Sequence, residues 1–212
     1  MNYDTLFSDR RSCLLIGQVP ATVHLSEPVR VGLPTGRLII CDPFTGLGPF
    51  APRPFTEGVA PGEYPVTLAF VSFDNNGEEG RVAAAARLEV SDVPVVRWEL
   101  ALMDGQSADD LEEDEFFGYE TGDGSVCFID GSVVHRLDRF EDDLVVEVDG
   151  FARAGFTRPL VKLAGENGDE VVAFFTNRPA PEVYPTWIGR TADGAIACFV
   201  TDFQVVASLD TE

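Results

Sequence analysis

The chain has 212 residues and a formal net charge of −21, from 36 acidic and 15 basic side chains. That surplus repels phosphate backbones and anionic lipid, which argues against direct binding to nucleic acid or to an acidic membrane. With 45% hydrophobic residues the chain can fill a core, so its acidity does not signal disorder.

Fourteen of the basic residues are Arg, and the one lysine is Lys162. Three readings fit this balance: an inert acidic surface from an Arg- and Asp-favouring genome, salt adaptation, or an acidic face that docks on a basic protein. Cys13, Cys41, Cys127 and Cys198 form no C-x-x-C pair, and three of them sit in or beside apolar runs. They read as buried, reduced thiols of a cytoplasmic protein. The N-terminus lacks the pattern of a signal peptide, and no apolar run reaches the length of a membrane span.

In chain order, "SCLLIGQV" and "RLIICD" predict short strands, and Pro28 and Pro34 between them suit edges and turns. Residues 42–65 hold six prolines in 24 positions and predict an ordered surface loop. "YPVTLAFVSF" and "RVAAAARLEV" predict a hairpin turned at Asn76-Gly77. Its alternation sends Val66, Leu68 and Phe70 to one face and Thr67, Ala69 and Val71 to the other. The alanine run competes as helix by propensity, but its flanking Val82, Leu88 and Val90 favour strand.

"VVRWELALM" predicts a further strand. An acidic segment follows, with Asp109, Asp110, Glu112, Glu113, Asp114 and Glu115, and Ser107 placed to cap a short helix. "FFGYETGDGSVCFID" predicts strand, Gly-rich turn, strand. Val134, Leu137, Phe140, Leu144, Val148 and Phe151 recur at helical spacing and predict a helix over 133–154. "EVVAFFTN", "YPTWIGR" and "AIACFVTDF" close the chain as strands, the last two turned at Asp193-Gly194. The expected fold is therefore α+β and β-rich, with one or two mostly antiparallel sheets and one or two helices. One domain is expected over 1–212, with 1–36 as an N-terminal arm ahead of residues 37–206.

The motifs "RLIICDP", "PGEYPV", "RVAAAARL", "WELA", "GYETGDGSVCFID", "NRPAPEVYPTWIG" and "FVTDF", in that order over residues 37–206, resemble the bacterial family called domain of unknown function 4241. The resemblance implies no activity, because that family carries none to transfer. Relatives show Val-Asp-Ala-Gly after the Gly-Tyr of the middle motif, where this chain has Glu120-Thr121-Gly122. They show Gly-Asp-Gly before the last Tyr, where "RPAPEV" stands here and Glu182 is the nearest acid.

Two sets of residues are candidates for function. Glu120, Asp123, Asp130 and Asp42 are the carboxylates that an acid–base hydrolase acting on a sugar or phosphoester would use. The plainer alternative makes them turn and strand-end residues. The acidic segment, with Glu182 and the aromatics Tyr64, Tyr184 and Trp187, is the candidate binding surface. A small-ligand site between Tyr64 and Trp187 is a third reading. No pattern calls for a metal or cofactor, and no phosphate-binding loop or nucleophile elbow is present. The leading expectation is a non-catalytic, acidic protein-binding module. It would be an immunity-type inhibitor of a basic, toxin-like protein, or a nucleic-acid mimic. Nothing in the sequence fixes the oligomeric state.

Overall fold

A computed structural model describes residues 2–44, 51–154, 156, 158–177 and 182–209. The architecture is β-rich α+β, built on two antiparallel sheets. Three strands come before residue 37, in the segment read as an arm: β1 (Ser12–Leu15), β2 (Pro20–Leu25) and β3 (Val29–Leu33). Then follow β4 (Leu38–Cys41), the long β5 (Gly62–Asn75) and β6 (Glu78–Glu89), β7 (Arg97–Leu100), β8 (Gly118–Thr121) and β9 (Ser125–Asp130). A 3₁₀ turn (Val134–Phe140) leads into helix α1 (Glu141–Ala154). The remaining strands are β10 (Val161–Ala164), β11 (Glu170–Phe175), β12 (Glu182–Arg190), β13 (Ile196–Asp202) and β14 (Val206–Leu209).

The larger sheet runs β14-β1-β2-β5-β6-β13-β12-β7, with β3 also on β5 and β8 also on β12. The smaller runs β10-β11-β9-β4. Both β2 and β3 pair with β5. His24 and Leu25 lie against Phe70 and Ala69, and Val29 lies against Val66. Between them Ser26 bridges the gap, donating its N–H to the Leu68 carbonyl and accepting the Leu68 N–H on its hydroxyl. Pro28 falls at this break, where a missing N–H costs no ladder bond.

The period-two pattern of β5 is realised as read. Val66, Leu68 and Phe70 enter the core between the sheets, while Ala69 and Val71 enter a second core on the far face. The alanine run is strand because both its faces are covered. A bulge between Ala69 and Phe70 of β5, opposite Ala83–Ala85, places Ala84 beside Ala85 on the far face. In the smaller sheet Ile40, Phe128 and Phe174 face the inter-sheet core, and Cys41, Cys127 and Ala173 face outward. Val134, Leu137, Phe140 and Leu144 cover that outer face, the first four of the six positions read as a helical stripe; Val148 and Phe151 lie outside this cluster, half-buried, and the chain is 3₁₀ before it is α. The layers are thus sheet, sheet and helix.

The strand–turn–strand at 118–130 is present, but it is no hairpin. Strand β8 pairs with β12, whereas β9 pairs with β11 and β4. The Gly122–Gly124 turn therefore carries the chain from one sheet to the other. The closing segment is a hairpin, with Thr186 against Thr201 and a turn through Asp193-Gly194.

Candidate functional site

The crossing at Gly122 places the candidate carboxylates. Gly118 sets the entry of β8: a Cβ there would stand 2.5 Å from the Tyr184 carbonyl oxygen, so only glycine permits this approach to β12. Tyr119 and Glu120 follow, opposite Tyr184 and Val183. Asp42 comes directly after β4 and reaches across to the same turn. Its Oδ2 accepts the Gly122 N–H at 2.7 Å, and its Oδ1 accepts the Phe44 N–H at 2.8 Å. Asp42, Glu120, Tyr119, Cys41, Met103 and Arg53 line a common cleft of about 770 Å³. That volume is in the range of ligand-binding clefts.

The electrostatics divide the four carboxylates. Asp42 is only 7% exposed, and burial pushes its carboxyl above the ordinary range. The two N–H bonds act the other way, and the nearby Asp123 charge adds to the rise. Asp130 is 0% exposed, and burial alone would raise it too. Bonds from Ser132 and Thr35 outweigh that cost and hold it below the usual carboxylate range. Asp130 lies outside the cleft: in the β4–β9 ladder it faces Leu38, while Cys127 faces Cys41. Asp42 comes four residues after Leu38, roughly 13 Å further along the strand direction. Asp130 is therefore a strand-end residue that fastens the Thr35 loop. Asp123 is exposed and accepts the Ser125 N–H at 2.8 Å, which closes the turn. Asp42 and Glu120 are the pair that shares the cleft.

The acidic segment connects two walls of this cleft. Met103 pairs with Phe55 and donates its N–H to Gln106 Oε1 at 2.7 Å. The chain then runs through a 3₁₀ turn at Ala108–Asp110, capped by Ser107 as expected, and returns at Gly118 and Tyr119. Asp109, Asp110, Glu112, Glu113, Asp114 and Glu115 are all exposed. None forms an ion pair among the described residues.

The aromatics expected at a binding surface do not gather there. Tyr184 is 1% exposed, packed edge-on against Phe203 at 4.9 Å in the inter-sheet core. Tyr64 packs on that same core and donates its hydroxyl to the Ala60 carbonyl. Trp187 belongs to the opposite face of the large sheet, stacked on Tyr3 at 5.6 Å. Tyr64 and Trp187 therefore line no common site. The side chain of Glu182 lies outside the described residues. Arg53, Met103 and Tyr119 are cleft residues that the sequence reading did not single out; the Gly-Tyr-Glu of the middle motif was the available signal for Tyr119. Among the described residues no group of three or more His, Cys, Asp or Glu side chains is arranged to hold a metal, and no helix is long and apolar enough to cross a membrane.

The family model for protein of unknown function (DUF4241) matches residues 31–167, more than half of the chain. The chain belongs to this family. The DUF4241 match begins within β3 and takes in β4, the cleft, the acidic segment and both halves of the 118–130 crossing. It ends before the closing hairpin, which the sequence resemblance had included. No curated protein and no solved structure matches this DUF4241 chain.

Proposed function

We propose that this protein is a non-catalytic binding module of the cytoplasm that receives a basic protein on its acidic segment and the cleft beside it. An immunity-type inhibitor of a cationic toxin is the case that fits best. One observation carries the reading: six exposed carboxylates without ion-pair partners among the described residues lie on one loop, with both ends fixed at the cleft that holds Asp42 and Glu120. Such a surface steers a cationic partner over about 10 Å at 0.1 M salt. The same surface would serve a nucleic-acid mimic, whose partner is again a basic protein.

The test is co-expression with the product of the neighbouring gene, should that product be basic, or else with a panel of cationic nucleases, followed by stopped-flow association at two salt concentrations. Replacing the six acids by Asn or Gln should slow association roughly 10- to 100-fold at low salt, with much less effect at high salt. Retention of no basic protein, or equal rates for the variant, would refute the reading.

A second reading rests on the raised carboxyl of Asp42 in the cleft it shares with Glu120, two carboxylates that an acid–base hydrolase could use. Turnover of an aryl phosphate or aryl glycoside that D42N and E120Q each abolish would favour it over binding alone.

A further inference from the structure

Cys41 and Cys127 lie directly opposite each other on the antiparallel strands β4 and β9. Their sulfur atoms are 3.6 Å apart, and both side chains are buried. Cys41 also forms part of the cleft wall, one residue before Asp42. We propose that this pair is a redox-modification site, a cross-strand dithiol that closes to a disulfide by exchange with a small disulfide oxidant.

The geometry needs little change. Opposed residues of an antiparallel pair carry Cβ atoms about 4.5–5.5 Å apart, and a disulfide takes about 3.5–4.5 Å. Rotation about χ1 and a slight closing of the ladder bring the sulfurs to bonding distance. The order of events follows from access. Cys41, 2% exposed, is the member of the pair that borders the cleft, so a local opening of the cleft wall presents it to the oxidant first. Cys127 has no such access, and burial, followed by the neighbouring Cys41 thiol, pushes its own thiol well up.

The Cys41 thiolate attacks the oxidant, forming a mixed disulfide and releasing one small thiolate. Cys127 then gives up its proton and attacks the Cys41 sulfur, releasing the second. Two protein thiols are oxidised, one small disulfide is reduced to two thiols, and the two cysteine protons leave on those thiols. The new bond ties β4 to β9 beside Asp42, so the redox state reaches the cleft.

The experiment uses the full-length reduced protein under native conditions, with oxidised glutathione as the probe, an alkylating quench, and intact-mass and peptide analysis. The expected result is loss of two hydrogens, loss of two alkylatable thiols, a Cys41–Cys127 cross-linked peptide, and reversal by dithiothreitol. A variant with both Cys13→Ala and Cys198→Ala keeps this response, and C41S abolishes it. Four alkylated thiols after treatment overturn the proposal. A bond or lasting adduct at Cys13 or Cys198 in place of the pair, or a cross-link that forms only in unfolded chain, does the same.

Discussion

Asp130→Asn tests the separation of the four carboxylates most directly. The Asp130 carboxylate accepts the Thr35 N–H at 3.0 Å, the Thr35 hydroxyl at 2.8 Å and the Ser132 N–H at 2.9 Å, with no exposure to water. An amide of the same shape offers one accepting oxygen and turns an NH₂ toward the remaining donors. Hydrogen bonds to a charged group contribute about 1.5–3 kcal/mol each, and relief of the buried charge offsets part of the loss. A net cost of about 3 kcal/mol is expected, which for a chain of this size lowers Tm by about 6–12 °C. Circular dichroism melts at pH 7 read this. The pH dependence has a definite sign. The folded-state pKa of Asp130 lies below its unfolded value of about 3.9, so its stabilisation is present above that value and lost as pH falls through the folded one. The gap between wild type and D130N should therefore narrow below about pH 4. A Tm within about 2 °C of wild type at pH 7, where about 1 kcal/mol would already show, or a gap that persists unchanged into acid, would refute the structural assignment.

Gly118→Ala drives a Cβ to 2.5 Å from the Tyr184 carbonyl and 2.8 Å from Val183 Cγ1. It should cost about 1–3 kcal/mol and speed amide exchange in β8 and the facing part of β12 ahead of the rest of the molecule. Asp42 has the opposite linkage to Asp130, because its folded carboxyl holds a proton more tightly than the unfolded one. Wild-type stability should therefore fall relative to Asp42→Asn as pH rises above about 4, and parallel denaturation profiles would contradict it.

Periodicity made the elements legible. The faces of β5, the helical spacing from Val134 to Leu144 and the Asp193-Gly194 turn are local signals, and each is realised by packing. Partnership between strands is not local. "GYETGDGSVCFID" has the chemistry of a hairpin, yet its halves join different sheets, because β8 is held by β12 and the Gly122 N–H by Asp42. Nothing near residue 120 announces a carboxylate that arrives from 80 positions earlier. The cleft was legible only as separate candidates, Asp42 and Glu120, and the structure supplies their conjunction. The aromatics misled for a related reason. Tyr-Pro beside a strand marks where the chain turns into the sheet, and Tyr184 turns inward with it.

The distribution of charge bears on the proposed function more directly than its total does. A surface made acidic by genome bias alone would leave its few cations scattered among its many anions. Here the cations with buried or half-buried side chains are committed to holding elements together. Arg190 binds Glu99 and Glu57, and Arg136 grips Asp169 with two bonds of 2.6 Å. Lys162 pairs with Glu170, which in turn accepts the Gly32 N–H and so links the two sheets. Arg87 lies over the Phe7 ring and pairs with Glu89. These pairs leave the loop from Asp109 to Glu115 without a described counter-charge, although fastening elsewhere is dense. Concentrating like charges on one loop raises their mutual repulsion and gains nothing for the fold. Exposed acids also stand on the helical layer, at Asp138, Glu141, Asp142 and Asp143, so the loop carries one part of a surplus that other faces share. A cationic surface docked on the loop, as proposed above, would relieve the repulsion among its acids.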